Sequence, residues 1–218
     1  MRGVLSIGAL VFALAAHAAP FAVQVGESRL ALDAPAGFAD TSFTGSPRLQ
    51  ELAESLTSAS NRVLLFALSD ADLRRFTLGD QLELRRHMIA VTSRAMERER
   101  MTEAGFRSLA GDLERELAQV PPMGDYQNYL ETRPPGAVSV LAALRKDPDA
   151  VAVLQGTRSK GGFFERSKYV LSSTSVVLLR GKAVTLSVFT QYNDAADLEW
   201  IRAVTLRWID DLKRLNAR

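Results

Sequence analysis

Four β-rich runs followed by one long amphipathic stretch restrict this chain more than any other feature of its sequence. Val138 to Leu144, Ala150 to Thr157, Tyr169 to Leu179 and Ala183 to Thr190 are rich in branched and apolar residues. Lys146-Asp147-Pro148-Asp149 separates the first pair, a long Gly-rich loop the second, and Arg180-Gly181-Lys182 the third. Short polar breaks between such runs predict an antiparallel meander. Asn193 or Asp194 then caps a terminal helix with Leu198, Ile201, Thr205, Trp208, Leu212 and Leu215 on one face. Val204 and Ile209 widen that face enough to cover a sheet, so the expected class is α+β, an antiparallel sheet covered by amphipathic helices.

The first half of the chain supplies further elements. Phe21 to Val25 and Arg29 to Leu32 alternate around Gly26-Glu27-Ser28, which predicts a short hairpin. Ser46 before Pro47 starts a helix, with Leu49, Leu52, Ala53 and Leu56 on one face and an end expected near Asn61. Val63 to Leu68 is a continuous apolar run that suits a strand covered on both faces, and a second strand is expected around His87 to Thr92. The link from Asp72 to Arg86 fits either a short helix or an extended crossing. From Thr102 to Gln119, Phe106, Leu109, Ala110, Leu113 and Leu117 make a helical stripe, which Pro121-Pro122 ends. The stretch through Pro134-Pro135-Gly136 reads as a surface excursion with a turn of helix near Tyr126 to Leu130.

At the N-terminus, Arg2, the apolar run from Val4 to Ala15 and Ala16-His17-Ala18 have the order of a secretory signal, so residues 1–18 are expected to be removed. That run is shorter than the roughly 20 residues a spanning helix needs, and no transmembrane segment is expected after processing. Residues 19–218 then form one α+β domain, exported to the periplasm or secreted. Cysteine is absent from the 218 residues, so such a domain holds together through its core rather than through disulfides. The chain carries 27 Lys plus Arg against 25 Asp plus Glu; without Arg2 the balance is +1, which supplies no field for nucleic acid.

The early hairpin, helix, late meander and closing helix together resemble the Mog1/PsbP-like α+β sandwich group. The local likeness lies in Ala183 to Tyr192 running into Asp197 to Ile201 and Arg207 to Asp211, which look like the final strand and helix of that group. Exported bacterial proteins of uncharacterised role look similar. The resemblance covers the architecture of about half the mature chain; it implies a binding or assembly module and transfers no catalytic residue.

Motifs for chemistry are sparse. With no Cys and only His87 beyond the signal, the chain cannot build a zinc cage, and no metal or cofactor is expected. Asp70-Ala71-Asp72 fails as a calcium loop because Arg74 and Arg75 stand where an oxygen ligand and glycine are required, so it reads as a strand end or a helix start capped by aspartate. His87 has the right titration range for a general base but no Gly-x-Ser-x-Gly or Ser-x-x-Lys partner, and reads as a sheet histidine. Gly156 to Gly162 lacks the P-loop lysine, and Glu97, Glu99 and Glu103 alternate with Arg98 and Arg100 as a solvated charged run.

The one loop with a binding pattern runs from Gly156 to Lys168. It sets Phe163 and Phe164 among Arg158, Lys160, Arg166 and Lys168, with Glu165 as the sole opposing charge. Such a hairpin tip suits an anionic membrane surface or an acidic envelope protein, although a phenylalanine folded onto the core explains the same residues. The leading expectation is therefore a non-catalytic exported module that binds a partner in the cell envelope. The alternatives are an envelope hydrolase whose site is assembled only in three dimensions, and a small-molecule carrier with a cavity at Trp208 and Leu212. A deep cleft lined by two acids, or by His87 and a serine, would favour the hydrolase, whereas a shallow surface with a basic aromatic rim would favour the binder.

Overall fold

The computed structural model describes residues 20–80, 82–116, 125–159 and 169–217. The expected signal segment and most of the basic aromatic loop, including Lys160, Phe163, Phe164, Arg166 and Lys168, lie outside the described residues.

The hairpin forms from β1 (Phe21–Val25) and β2 (Ser28–Leu32), which pair antiparallel and stand apart from the main sheet. The chain continues through β3 (Phe38–Asp40), a 3-10 turn at Thr41–Thr44, α1 (Pro47–Ser55), β4 (Asn61–Ser69), α2 (Asp70–Thr77) and β5 (Arg86–Ser93). It then passes through α3 (Glu103–Glu116), α4 (Tyr126–Glu131), β6 (Val138–Asp147), β7 (Ala150–Arg158), β8 (Tyr169–Leu179) and β9 (Lys182–Gln191). The described residues close with α5 (Ala195–Asn216). Seven strands make one sheet in the order β3-β4-β5-β9-β8-β7-β6, antiparallel at every pairing. The fold is α+β, as the spacing of the last third predicts.

Strand periodicity sorts the side chains between two covered faces. In β9, Val184, Leu186 and Val188 point to the larger core, where Ile201, Trp208, Ile209 and Leu212 of α5 and the β1–β2 hairpin cover them. The opposite face carries two smaller cores: α1 and α2 over Phe66, Leu68, Ile89 and Val91, and α3 over Val151 and Val176. Three buried polar contacts tie α5 down. The Trp208 indole N–H donates to the Asp33 carbonyl at 2.8 Å, Thr205 and Ser173 hydroxyls meet at 2.6 Å, and Asn216 bonds both the N–H and C=O of Ala31. Each satisfies a polar group that burial would otherwise leave without water.

Three local expectations need correction. Helix α1 stops at Ser55 rather than near Asn61, since Thr57 to Asn61 form a polar turn in which the Asn61 N–H reaches the Ser58 carbonyl. The stretch around α4 is not a surface excursion, because Tyr126 and Leu130 are buried in the main core. Leu130 fits there because β7 carries Gly156 beneath it: a Cβ at Gly156 would come within 2.9 Å of methyls of both Leu130 and Leu141. The glutamate run is only partly a solvated face. Glu97 pairs with Arg62 at 3.3 Å, and the buried Lys182 ammonium donates to the Glu97 and Glu99 carbonyls at 2.7 and 2.5 Å.

Candidate functional site

Asp70 and Asp72 lie in the first turn of α2, where the Ser69 hydroxyl accepts from the Asp72 N–H at 3.1 Å and donates to its carboxylate at 2.8 Å. A helix does start here as expected, but its cap is Ser69 and not an aspartate. Asp72 also lines a polar cleft of about 410 Å³ with Asp197 of α5, Arg75, Arg85 and Arg86. Asp197 is committed to structure. It takes the Arg86 guanidinium at 2.9 Å and the Asn193 N–H at 3.0 Å. Burial raises its carboxyl, and the Asn193 N–H and Arg86 outweigh that effect, holding it below the usual carboxylate range. A carboxyl held low is a poor proton donor at neutral pH, which is the opposite of what a general acid needs.

His87 sits in β5 on the α1–α2 face of the sheet. Its ring stacks on Phe189 with centroids 4.6 Å apart and meets the edge of Phe66 at 6.3 Å. Burial is the largest influence and pushes its pKa from 6.5 down to about 4, against opposing effects of a hydrogen bond to the Leu84 backbone and the Asp72 charge. His87 is therefore neutral at pH 7 and packed between Phe66 and Phe189.

Of the six residues expected to meet a partner or membrane, Arg158 is described. It ends β7, opposite Tyr169 of β8. Its guanidinium pairs with the Glu131 carboxylate and donates to the Arg133 carbonyl at 3.1 Å. The Tyr169 hydroxyl donates to the same carboxylate, and this bond is the largest influence holding Glu131 below the usual carboxylate range. Arg158 thus anchors the loop base to α4 rather than presenting its charge outward.

A larger cleft lies elsewhere, at a place no sequence motif marks. It has a volume of about 760 Å³ and runs between the outer edge of β4, the 3-10 turn and α1. β3 pairs with β4 only from Ala67 to Ser69, after which the chain leaves the sheet at Thr41, where Asp40 accepts from the Ser42 N–H. Asn61 to Phe66 pair with β5 on one side, with a bulge between Val63 and Leu65. Among the described residues no strand lies on their other side. Side chains from α1 (Gln50, Ala53 and Glu54) form the facing wall, and Arg62 and Arg94 stand at the Asn61 end. Sequence reasoning missed this site because it depends on where β3 stops beside β4. The sequence reading placed no strand after Gly37, where the structure has β3.

Trp208 and Leu212 are buried at 1% and 0% exposure, and neither lines the clefts described above. No group of three or more metal-ligating side chains occurs among the described residues, and no helix among them is long and apolar enough to cross a membrane.

No protein-family model matches the chain, and no curated protein matches it. Among solved structures it is similar to a point mutant of protein Mog1, at 12% identity and a TM-score of 0.36, over 92% of this chain and 94% of that one. It is also similar to the Saccharomyces cerevisiae Ran-binding protein Mog1p, at 12% identity and a TM-score of 0.36, over 90% of this chain and 95% of the other. These are the Mog1 structures of the group named from the sequence pattern, and the likeness is one of architecture.

Proposed function

We propose that the protein is a non-catalytic binding module, exported to the cell envelope, and that it holds a partner protein in the cleft between β4 and α1. One observation carries this reading: a cleft of about 760 Å³ along a strand edge that no other described strand covers. Its two lining carboxylates are engaged within the chain, Asp40 by the Ser42 N–H and hydroxyl and Glu54 by the Gln50 amide at 3.2 Å, which supports binding over acid–base chemistry. Export rests on the N-terminal pattern of residues 1–18. The loop of Lys160, Phe163, Phe164, Arg166 and Lys168 is a second surface for an acidic partner or anionic membrane, secondary because Arg158 at its base is neutralised by Glu131.

Site-specific photo-crosslinking in the producing cell tests the reading. A crosslinker at Gln50, in the cleft wall, is expected to trap a protein of the envelope fraction, while one at Arg214 on α5 traps none. Equal crosslinking at both positions, or retention of residues 1–18 with cytoplasmic fractionation, overturns it.

A further inference from the structure

Helix α1 serves two cavities. Gln50, Ala53 and Glu54 line the cleft beside β4, whereas Arg48, Leu49 and Leu52 line a second pocket of about 350 Å³, completed by Phe76 of α2 and by Leu82 and Leu84 of the link into β5. Five of these six residues are apolar, and all five belong to the core on the α1–α2 face of the sheet, across from that of Trp208. Leu49 is buried, but Leu52, Phe76, Leu82 and Leu84 are only half-buried, so apolar surface at the pocket still meets water. Leu84 holds its place at φ 47°, in the left-handed region that favours glycine. A leucine side chain is thus kept on the wall against the preference of its own backbone.

Arg48 is the charged residue of that lining, exposed and in the first turn of α1. Its guanidinium lies over the Phe76 ring, 5.7 Å from the centroid, and among the described residues it has no carboxylate within ion-pair distance and makes no side-chain hydrogen bond. Arg62, Arg86 and Arg94 differ, because each is held by a partner within the chain. The N–H donors of Arg48 therefore remain available to an anion. An apolar pocket with such a cation beside it fits an amphiphile with an apolar tail and an anionic head. A peptide fits less well, since each of its residues brings an N–H and a C=O that need partners, and leucine and phenylalanine side chains offer none. An acyl chain brings no such groups. A methylene is close in size to a water molecule, whose share of the liquid is roughly 30 Å³, so the pocket admits about ten carbons.

We infer that the pocket between α1, α2 and the link at residues 82–84 binds a medium-chain fatty acid, with the acyl chain against Leu52, Phe76, Leu82 and Leu84 and the carboxylate on Arg48. Burial of the tail supplies affinity, and the charge-assisted contact with Arg48 selects the headgroup. The site does not use the cleft beside β4, so it stands or falls apart from the partner-protein reading.

Calorimetric titration of the full purified chain with decanoate, and with decanol as its uncharged analogue, tests this below micelle-forming concentrations. Decanoate is expected to bind at one site per chain, at least tenfold more tightly than decanol. Arg48→Gln, at an exposed helix position, should abolish that preference while leaving decanol binding and the melting midpoint unchanged. Leu52→Trp and Leu82→Trp, which fill the pocket from different walls, should each weaken decanoate at least tenfold, and Arg48→Gln keeps the test decisive if either fails to fold. Methyl resonances of Leu82 and Leu84 should shift with decanoate while that of Leu141, in the other core, stays fixed. Absence of decanoate binding, equal affinity for decanoate and decanol, a preference that survives Arg48→Gln, or wild-type affinity in folded filling variants overturns the proposal. Tighter binding of acetyl-trileucine than of decanoate overturns the fatty acid in favour of a protein C-terminus.

Discussion

The two edges of the seven-stranded sheet are finished in different ways. At the β6 edge the register with β7 shifts twice, between Val140 and Ala142 and between Ala143 and Arg145. Arg145 also reaches across to Asp210 of α5, and Lys213 to Asp149 at 2.7 Å. Bulges and charges of this kind turn an edge away from further pairing. The β4 edge has one bulge, is paired by β3 over three residues and otherwise opens on the cleft. One edge is finished by bulges and charges, and at the other Leu64, Leu65 and Phe66 are 6%, 2% and 2% exposed while α1 forms a wall of the cleft beside them. The cleft proposed as the binding site lies at the less finished edge.

The largest expected effect tests the anchored side. Trp208→Ala should lower stability by about 3 to 5 kcal/mol, because a fully buried indole leaves a cavity and the Asp33 carbonyl loses its donor. Urea denaturation measures it. A midpoint equal to wild type would show that α5 does not secure the β9-to-β6 half of the sheet.

His87 probes the dry core behind the open edge. Its pKa is about 4 in the folded protein against 6.5 for the free side chain, so the unfolded chain takes up the proton first as pH falls. Stability contributed by the neutral ring is full above 6.5, declines through that interval and is lost near 4, a total of about 3 kcal/mol. Denaturation midpoints measured from pH 7 to 4 should show this fall, and His87→Leu should reduce it. A wild-type slope in the variant would mean that other groups control acid sensitivity at this end.

Gly156→Ala comes next. The new methyl meets Leu130 and Leu141 beneath α4, and overpacking of that kind costs roughly 1 to 3 kcal/mol. Pairing it with Leu130→Ala should give a double variant more stable than the sum of the single losses predicts, measured in a double-mutant cycle. Strict additivity would place the strain elsewhere. The smallest effect sharpens the comparison of edges: Arg145→Ala should cost less than about 1 kcal/mol, since its Asp210 partner is largely exposed. If that variant associates into oligomers by light scattering while keeping its melting midpoint, Arg145 guards the β6 edge. Monomeric behaviour would assign that protection to the bulges alone.

Much of the fold was legible. The alternation of Lys182 to Gln191 places every second side chain on the α5 face, and the stripe from Ile201 to Leu212 supplies the matching helix. Asp70 and Asp72 lie at a helix start, one of the two places the sequence allowed, although Ser69 rather than an aspartate makes the cap. The site was not legible in the same way. Tyr126 and Leu130 looked peripheral among prolines and turned out to be core because Gly156, far along the chain, leaves room for them. Arg158 looked like a free cation until Glu131 was brought beside it.

Periodicity, caps and turns are local, so the chain by itself determined most strands and helices, though not β3 or the link that holds α2, and also that the sheet is antiparallel and which face of α5 is buried. The order of strands is a long-range matter. Tertiary structure alone decided that β5 lies between β4 and β9, that β3 covers only Ala67 to Ser69, and that α1 stands beside the remaining edge. The cleft exists because a strand of three residues pairs with a strand of nine, and that mismatch is settled only when the two meet.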